Sequence, residues 1–202
     1  MEKVKEIKRT LRTLMNGVTA QSMREKGLDY HVNWGASLLH LRELANEYEK
    51  DGQLAMALWQ DDVRECKILA TMLMPVEEMQ RETALQWIGQ THTQEIAEIA
   101  SKNLYQYLPY ATDMALDLLD KDNRISRLHG LCIMAGTVSS DKTLTEAEAK
   151  AFLDSVVVVL AGEDLVLKHA ALNAVQRYAD VDAMCHETAK CALKTIKMDD
   201  WL

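Results

Sequence analysis

Residues 58–73 read LWQDDVRECKILATML. Asp61, Asp62, Arg64 and Glu65 fall there between a tryptophan and an apolar run. Such a cluster serves either as a charged junction between two helices or as part of a site. Two rows of cations are the other groupings with chemistry to offer. Lys5, Lys8, Arg9 and Arg12 share one face at helical spacing, and so do His186, Lys190, Lys194 and Lys197. Cations in rows can neutralise phosphates, although any amphipathic helix also needs a polar face. The six histidines (31, 40, 92, 129, 169 and 186) have no ligand spacing. Cys185, His186 and Cys191 suggest a zinc site, but adjacent helical residues point apart, so packing is the better account. No phosphate loop, dinucleotide fingerprint, HExxH or GxSxG appears, so neither a metal nor a cofactor is expected.

The elements that must position these residues read as helices. With 48% hydrophobic residues over 202 positions, the chain can bury a substantial core. Two prolines, eight glycines and 5% aromatics suit helix-on-helix packing better than a sheet. The net charge of −8 excludes a uniformly basic nucleic-acid binder. It is uneven, however. Residues 1–27 hold seven Lys/Arg against three Glu, a local +4 that leaves −12 for the rest. The four cysteines form no CxxC pair and read as buried free thiols in a reducing compartment. The N-terminus lacks an apolar signal core and no run is long enough to span a membrane, so a cytoplasmic protein is expected.

Val4, Ile7, Leu11 and Leu14 set the apolar face of a first helix, with the basic row opposite. Gly17 and Gly27 bracket a short second one, and 28–36 reads as a loop. Ser37 caps a helix expected to reach Lys50. Others are expected over 53–60, 62–74, 76–90, 94–107, 110–120, 122–138, 145–161, 164–179 and 181–198. Asp61 and Asp62 suit the start of the 62–74 helix, Pro75 its end, and Thr93 the cap of the 94–107 helix.

Short loops make consecutive helices antiparallel neighbours. DDVRECKILATML, DNRISRLHGLCIM and EDLVLKHAALNAV share a plan: an acidic start, a basic residue within a turn or so (Arg64, Arg127, Lys168), then small and branched residues. From Arg127 to Lys168 the offset is 41, within the range of HEAT repeats, while Arg64 to Arg127 is 63, so the array is irregular. The expected fold is all-α: a right-handed superhelical stack of antiparallel helix pairs, HEAT-like, as one domain over 1–202. In that frame Arg64 and Glu65 read as a buried or interfacial ion pair tying neighbouring repeats.

GASLLHLRELANEY, then LW, then RE and ILATML, resembles the DNA alkylation repair family, alkylpurine DNA glycosylases built from HEAT-like helices. Tyr30, Gly35, Leu41, Arg42, Leu58, Trp59, Arg64, Glu65 and Ala70 carry the resemblance over about 28–75. Beyond it, the helical layout and Arg127 are compatible. The resemblance implies excision of cationic N3- or N7-alkylated purines from duplex DNA without drawing the base into a pocket. It also implies a tryptophan-walled cleft, an aspartate one turn after a tryptophan and an arginine on the phosphate. A fixed carboxylate would stabilise the oxocarbenium charge developing on the sugar. The corresponding helix falls within 86–104, where Thr91 stands one turn after Trp87. Glu95 and Glu98 are the nearest carboxylates and so the catalytic candidates, though Glu95 also suits the first turn of a capped helix. The DNA-contact candidates are Lys5, Lys8, Arg9, Arg12, Arg127, Lys190, Lys194 and Lys197, and double-stranded DNA is the implied partner. The missing acid after Trp87 and the net −8 leave a second reading: a non-catalytic scaffold that binds DNA or a protein.

Overall fold

The computed structural model describes residues 2–28, 30–139 and 144–202. Among them the chain forms twelve α-helices, and its extended pairing is limited to one isolated parallel bridge, Val32 to Val63. They group into two compact units, residues 1–104 and 105–202.

The first unit holds α1 (Glu2–Thr13), α2 (Gly17–Glu25), α3 (Leu38–Asn46), α4 (Gly52–Gln60), α5 (Arg64–Leu73), α6 (Arg81–Gly89) and α7 (Gln94–Asn103). Ile7 and Leu11 put the expected apolar face of α1 inside, and α1 meets α4. α4 lies along α5, and α5 is flanked by α3 on one side and α7 on the other. That central place explains why eight of the ten α5 residues are buried, including both charges of its first turn. Ser37 and Thr93 cap α3 and α7 through the His40 and Ile96 amides, as their positions predict.

Three boundaries differ from expectation. α3 stops at Asn46, because Glu47 and Glu49 would oppose the negative end of the helix dipole if it continued. The 76–90 segment is a single turn, Val76–Glu78, followed by α6 from Arg81, with Met79 buried between them. α5 starts at Arg64, and Asp61 in the preceding junction instead accepts a 3.0 Å ion pair from Lys8.

The second unit holds α8 (Ala111–Leu119), α9 (Arg124–Thr137), α10 (Glu146–Ala161), α11 (Leu165–Ala179) and α12 (Ala183–Lys194). α8 packs on α9, α9 on α11, and α11 on both α10 and α12. α12 ends four residues short of expectation. Lys197 lies beyond it with φ +58°, the left-handed conformation that closes a helix, and its amide donates to Lys194 O. The four cysteines are free, yet Cys191 is exposed, contrary to the buried set that composition suggested. Among the described residues no helix is long and apolar enough to cross a membrane, and no three His, Cys, Asp or Glu side chains are grouped to hold a metal.

His129 of α9 is fully buried beside the Tyr105 ring, at a centroid distance of 5.7 Å. Burial pushes its imidazole down to about 3. The unfolded chain takes up this proton near pH 6.5, so stability is intact above that pH and falls as the pH drops toward 3. Going from pH 7 to pH 5 should cost about 2 kcal/mol from this residue alone. Urea titrations at the two pH values check this, and a His129→Gln variant with an unchanged acid loss would refute it.

Candidate functional site

The charged cluster of the 58–73 stretch is the most buried polar centre of the first unit. The Arg64 guanidinium is 2% exposed and forks onto Glu95, Nε to Oε2 at 2.7 Å and Nη2 to Oε1 at 2.6 Å. Its Nη1 donates to Ala36 O and to Glu65 Oε1, at 3.0 and 3.1 Å. Glu65, fully buried, accepts the Trp34 and Ala36 amides at 3.2 Å each. Tyr30 donates to Glu95 Oε2 at 2.6 Å and accepts a hydrogen bond from the Thr93 hydroxyl. α5, α7 and the 30–36 loop are therefore joined through one guanidinium and two carboxylates. Burial alone would raise the Glu95 carboxyl, but hydrogen bonds from Arg64 and Tyr30 hold it below its usual value. Burial and the same carboxylate push the Tyr30 phenol up, so it stays a donor. Both Glu95 oxygens are thus engaged, and Arg64 is the counter-ion that Glu95 shares with Glu65.

Two of the tryptophans of this unit are also accounted for. Trp59 of α4 and Trp87 of α6 stack face to face, 4.2 Å apart and 1° from parallel, each about 1% exposed. The Trp59 indole donates to Gln90, and Lys67 lies over its ring face with Nζ 4.8 Å from the ring centre. Stacking of this kind contributes about 0.5–1.5 kcal/mol beyond burial. Thr91, one turn after Trp87, is buried with its hydroxyl on Trp87 O. Trp34 is the half-buried tryptophan of this unit, and the Arg12 guanidinium sits 5.9 Å over its ring.

Glu98 lies one turn beyond Glu95 on α7 but is exposed, accepting from Gln94 at 2.7 Å. The four residues of the first basic row all lie on α1. Lys8 is half-buried against Asp61, while Lys5, Arg9 and Arg12 are exposed, Arg12 lying over the Trp34 ring and Lys5 and Arg9 without an ion pair among the described residues. On the second unit Lys190 and Lys194 share a face of α12, and Lys197 lies past its end. Arg127, on α9, pairs with Asp122 at 3.0 Å.

An all-helical array of antiparallel pairs, with its charged centre in the core and cations on its first helix, defines a helical-repeat protein. The family model described as DNA alkylation repair enzyme matches residues 7–153, and the chain belongs to that family. A solved structure described as "a new family of proteins related to the HEAT-like repeat DNA glycosylases with affinity for branched DNA structures" superposes with a TM-score of 0.83 at 16% identity. The superposition covers 94% of this chain and 81% of that one, and it establishes the HEAT-like fold. No curated protein matches the chain significantly.

Sequence reasoning anticipated Arg64 and Glu65 as an ion pair but missed Glu95 as its third member. A signal was present. Arg64 brings a buried cation opposite a single carboxylate of its own helix, and a guanidinium fork is better satisfied by a second one. The acid on the neighbouring helix at its Thr93-capped start was Glu95.

Proposed function

We propose that the protein binds DNA through its phosphates, duplex and branched forms alike, and that Glu95 serves the fold rather than the glycosidic bond. One observation carries the second half: Arg64 and Tyr30 occupy both oxygens of Glu95. A carboxylate whose two oxygens are already taken by the Arg64 fork and the Tyr30 hydroxyl is poorly placed to stabilise an oxocarbenium ion. The stacking of Trp59 on Trp87 in the core supports the same reading, since neither ring is free to wall a cleft. Membership of the family supports the DNA half, and the fold neighbour's affinity for branched DNA extends it to branch points. Lys5 and Arg9 are the cations we assign to phosphate. Lys190, Lys194, Lys197 and Arg127 are the corresponding candidates of the second unit.

The deciding measurement is release of 7-methylguanine from alkylated duplex DNA alongside binding to the same duplex across a salt series. We expect release no faster than spontaneous depurination. Binding should weaken steeply with salt, and Lys5→Glu/Arg9→Glu should lower the log–log salt slope by about 2. Robust release that disappears in Glu98→Gln would restore excision, with the exposed Glu98 as its carboxylate. Affinity unchanged by the double charge reversal would remove α1 from the interface.

A further inference from the structure

The first unit contains a groove that the fold does not use. α3, α5 and α7 each end at it, with Asn46, Leu73 and Asn103 as their last residues. It encloses about 320 Å³. Met72 and Leu73 of α5 and the Tyr48 ring give it an apolar and aromatic lining. Asn46 and Asn103 also line it, and Arg42 and Lys50 supply its charge. Both cations are exposed and make no ion pair among the described residues, in a chain that carries net −8.

We propose that this groove holds one unpaired nucleotide of a branched DNA, with its phosphate on Arg42 and Lys50 and its base over Met72 and Tyr48. The proposal rests on the DNA-binding reading above and adds to it the place where the unpaired strand of a branch is held. Three features separate an unpaired nucleotide from the backbone of an intact duplex. A volume near 300 Å³ is at the lower end of small-ligand sites and has the scale of a nucleotide, not of a double helix. An apolar and aromatic lining is of no use to a duplex exterior of phosphate and sugar, whereas every unstacked base has a face to lay on it. The third feature is the sign of the local field. Three helix C-termini converge on the groove, and their carbonyl ends disfavour an anion but accept from the exocyclic amino groups of bases. The phosphate must then be held at the rim by Arg42 and Lys50. The Asn46 amide offers donor and acceptor together, as a base edge requires, and Asn103, whose amide nitrogen donates to Thr71 Oγ1 at 3.0 Å, adds its oxygen as an acceptor.

The test compares two fluorescent probes by anisotropy: a blunt duplex, and the same duplex carrying a single-stranded 5′ flap. Stacking of one base on a protein surface gives a preference for the flap of about fivefold or more. Arg42→Ala and Met72→Glu change side chains outside the buried core, and each should bring that preference close to one while leaving the blunt-duplex affinity within about twofold. Lys5→Glu/Arg9→Glu should weaken both probes together. Equal wild-type affinity for the two probes, or a preference that survives both groove variants, overturns the groove assignment and leaves duplex binding standing. Failure of the wild-type protein to bind either probe overturns the DNA-binding reading, and the groove assignment with it.

Discussion

Arg64→Ala should destabilise the protein by about 3–5 kcal/mol, the usual cost of removing one partner from a buried ion pair. The reason lies in what remains. Glu65 is fully buried and Glu95 is four-fifths buried, and both would keep a negative charge without its counter-ion. Glu65 retains the Trp34 and Ala36 amides, and Glu95 retains only Tyr30. Ala36 O also loses its donor. Two carboxylates on adjacent helices would then repel each other where α5 is meant to join α7. A urea titration of the full chain reads the loss directly.

A second variant separates stranded charge from lost packing. Replacing Arg64 with methionine and both Glu65 and Glu95 with leucine removes every ion of the cluster at similar volume. Buried ion networks replaced in this way are often neutral in stability, so most of the loss should return. A triple variant as unstable as Arg64→Ala would show that the hydrogen bonds to the 30–36 loop, and not the charges, hold the junction. The pH dependence has a definite sign. The Glu95 carboxyl lies below its usual 4.5 in the fold. Its contribution is therefore complete above that value and is lost as the pH falls through the lower folded one. Arg64→Ala should flatten this part of the acid profile.

This cluster also marks where the sequence was legible and where it was not. Helix identity followed from the spacing of Ile7 and Leu11 and from the caps Ser37 and Thr93, because those signals are local. The Arg64–Glu65 pair was legible too, since two opposite charges at the start of an apolar helix must be buried together. Glu95 was not, because its partner lies 31 positions away. The resemblance drew attention to its place beside a tryptophan helix, whereas the fold uses it as a counter-ion. The tryptophans follow the same rule. One indole per helix does not reveal whether it faces a cleft or another indole, and that depends on the register of α4 against α6. The groove of Arg42 and Lys50 was invisible for a different reason. It exists only because three helices that are far apart in sequence end at the same edge.

Gly35→Ala should be the most damaging substitution of a single loop residue, costing more than about 3 kcal/mol. Gly35 has φ +74°, where a side chain alone costs about 1–2 kcal/mol. A Cβ there would also lie 2.2 Å from Asn16 O and 2.8 Å from Ala20 N. Both are backbone atoms, so no rotamer change relieves the contact. Asn16 O accepts the Ala20 amide at the first turn of α2, and the Asn16 amide donates to Trp34 O. The added methyl would push the loop off α2 at the point where the two are hydrogen-bonded. Displacement would reach further, because the amides on either side of Gly35, Trp34 and Ala36, are those that Glu65 accepts. The methyl would thus loosen the Arg64 cluster from a distance. Gly27→Ala is the control. Its φ is +81°, yet nothing lies within 4 Å of an added Cβ. It carries the backbone strain without the collision and should cost only about 1–2 kcal/mol. Urea titrations of the two variants isolate the collision by difference. Equal losses would mean that the loop yields freely and that its closeness to α2 contributes nothing to stability.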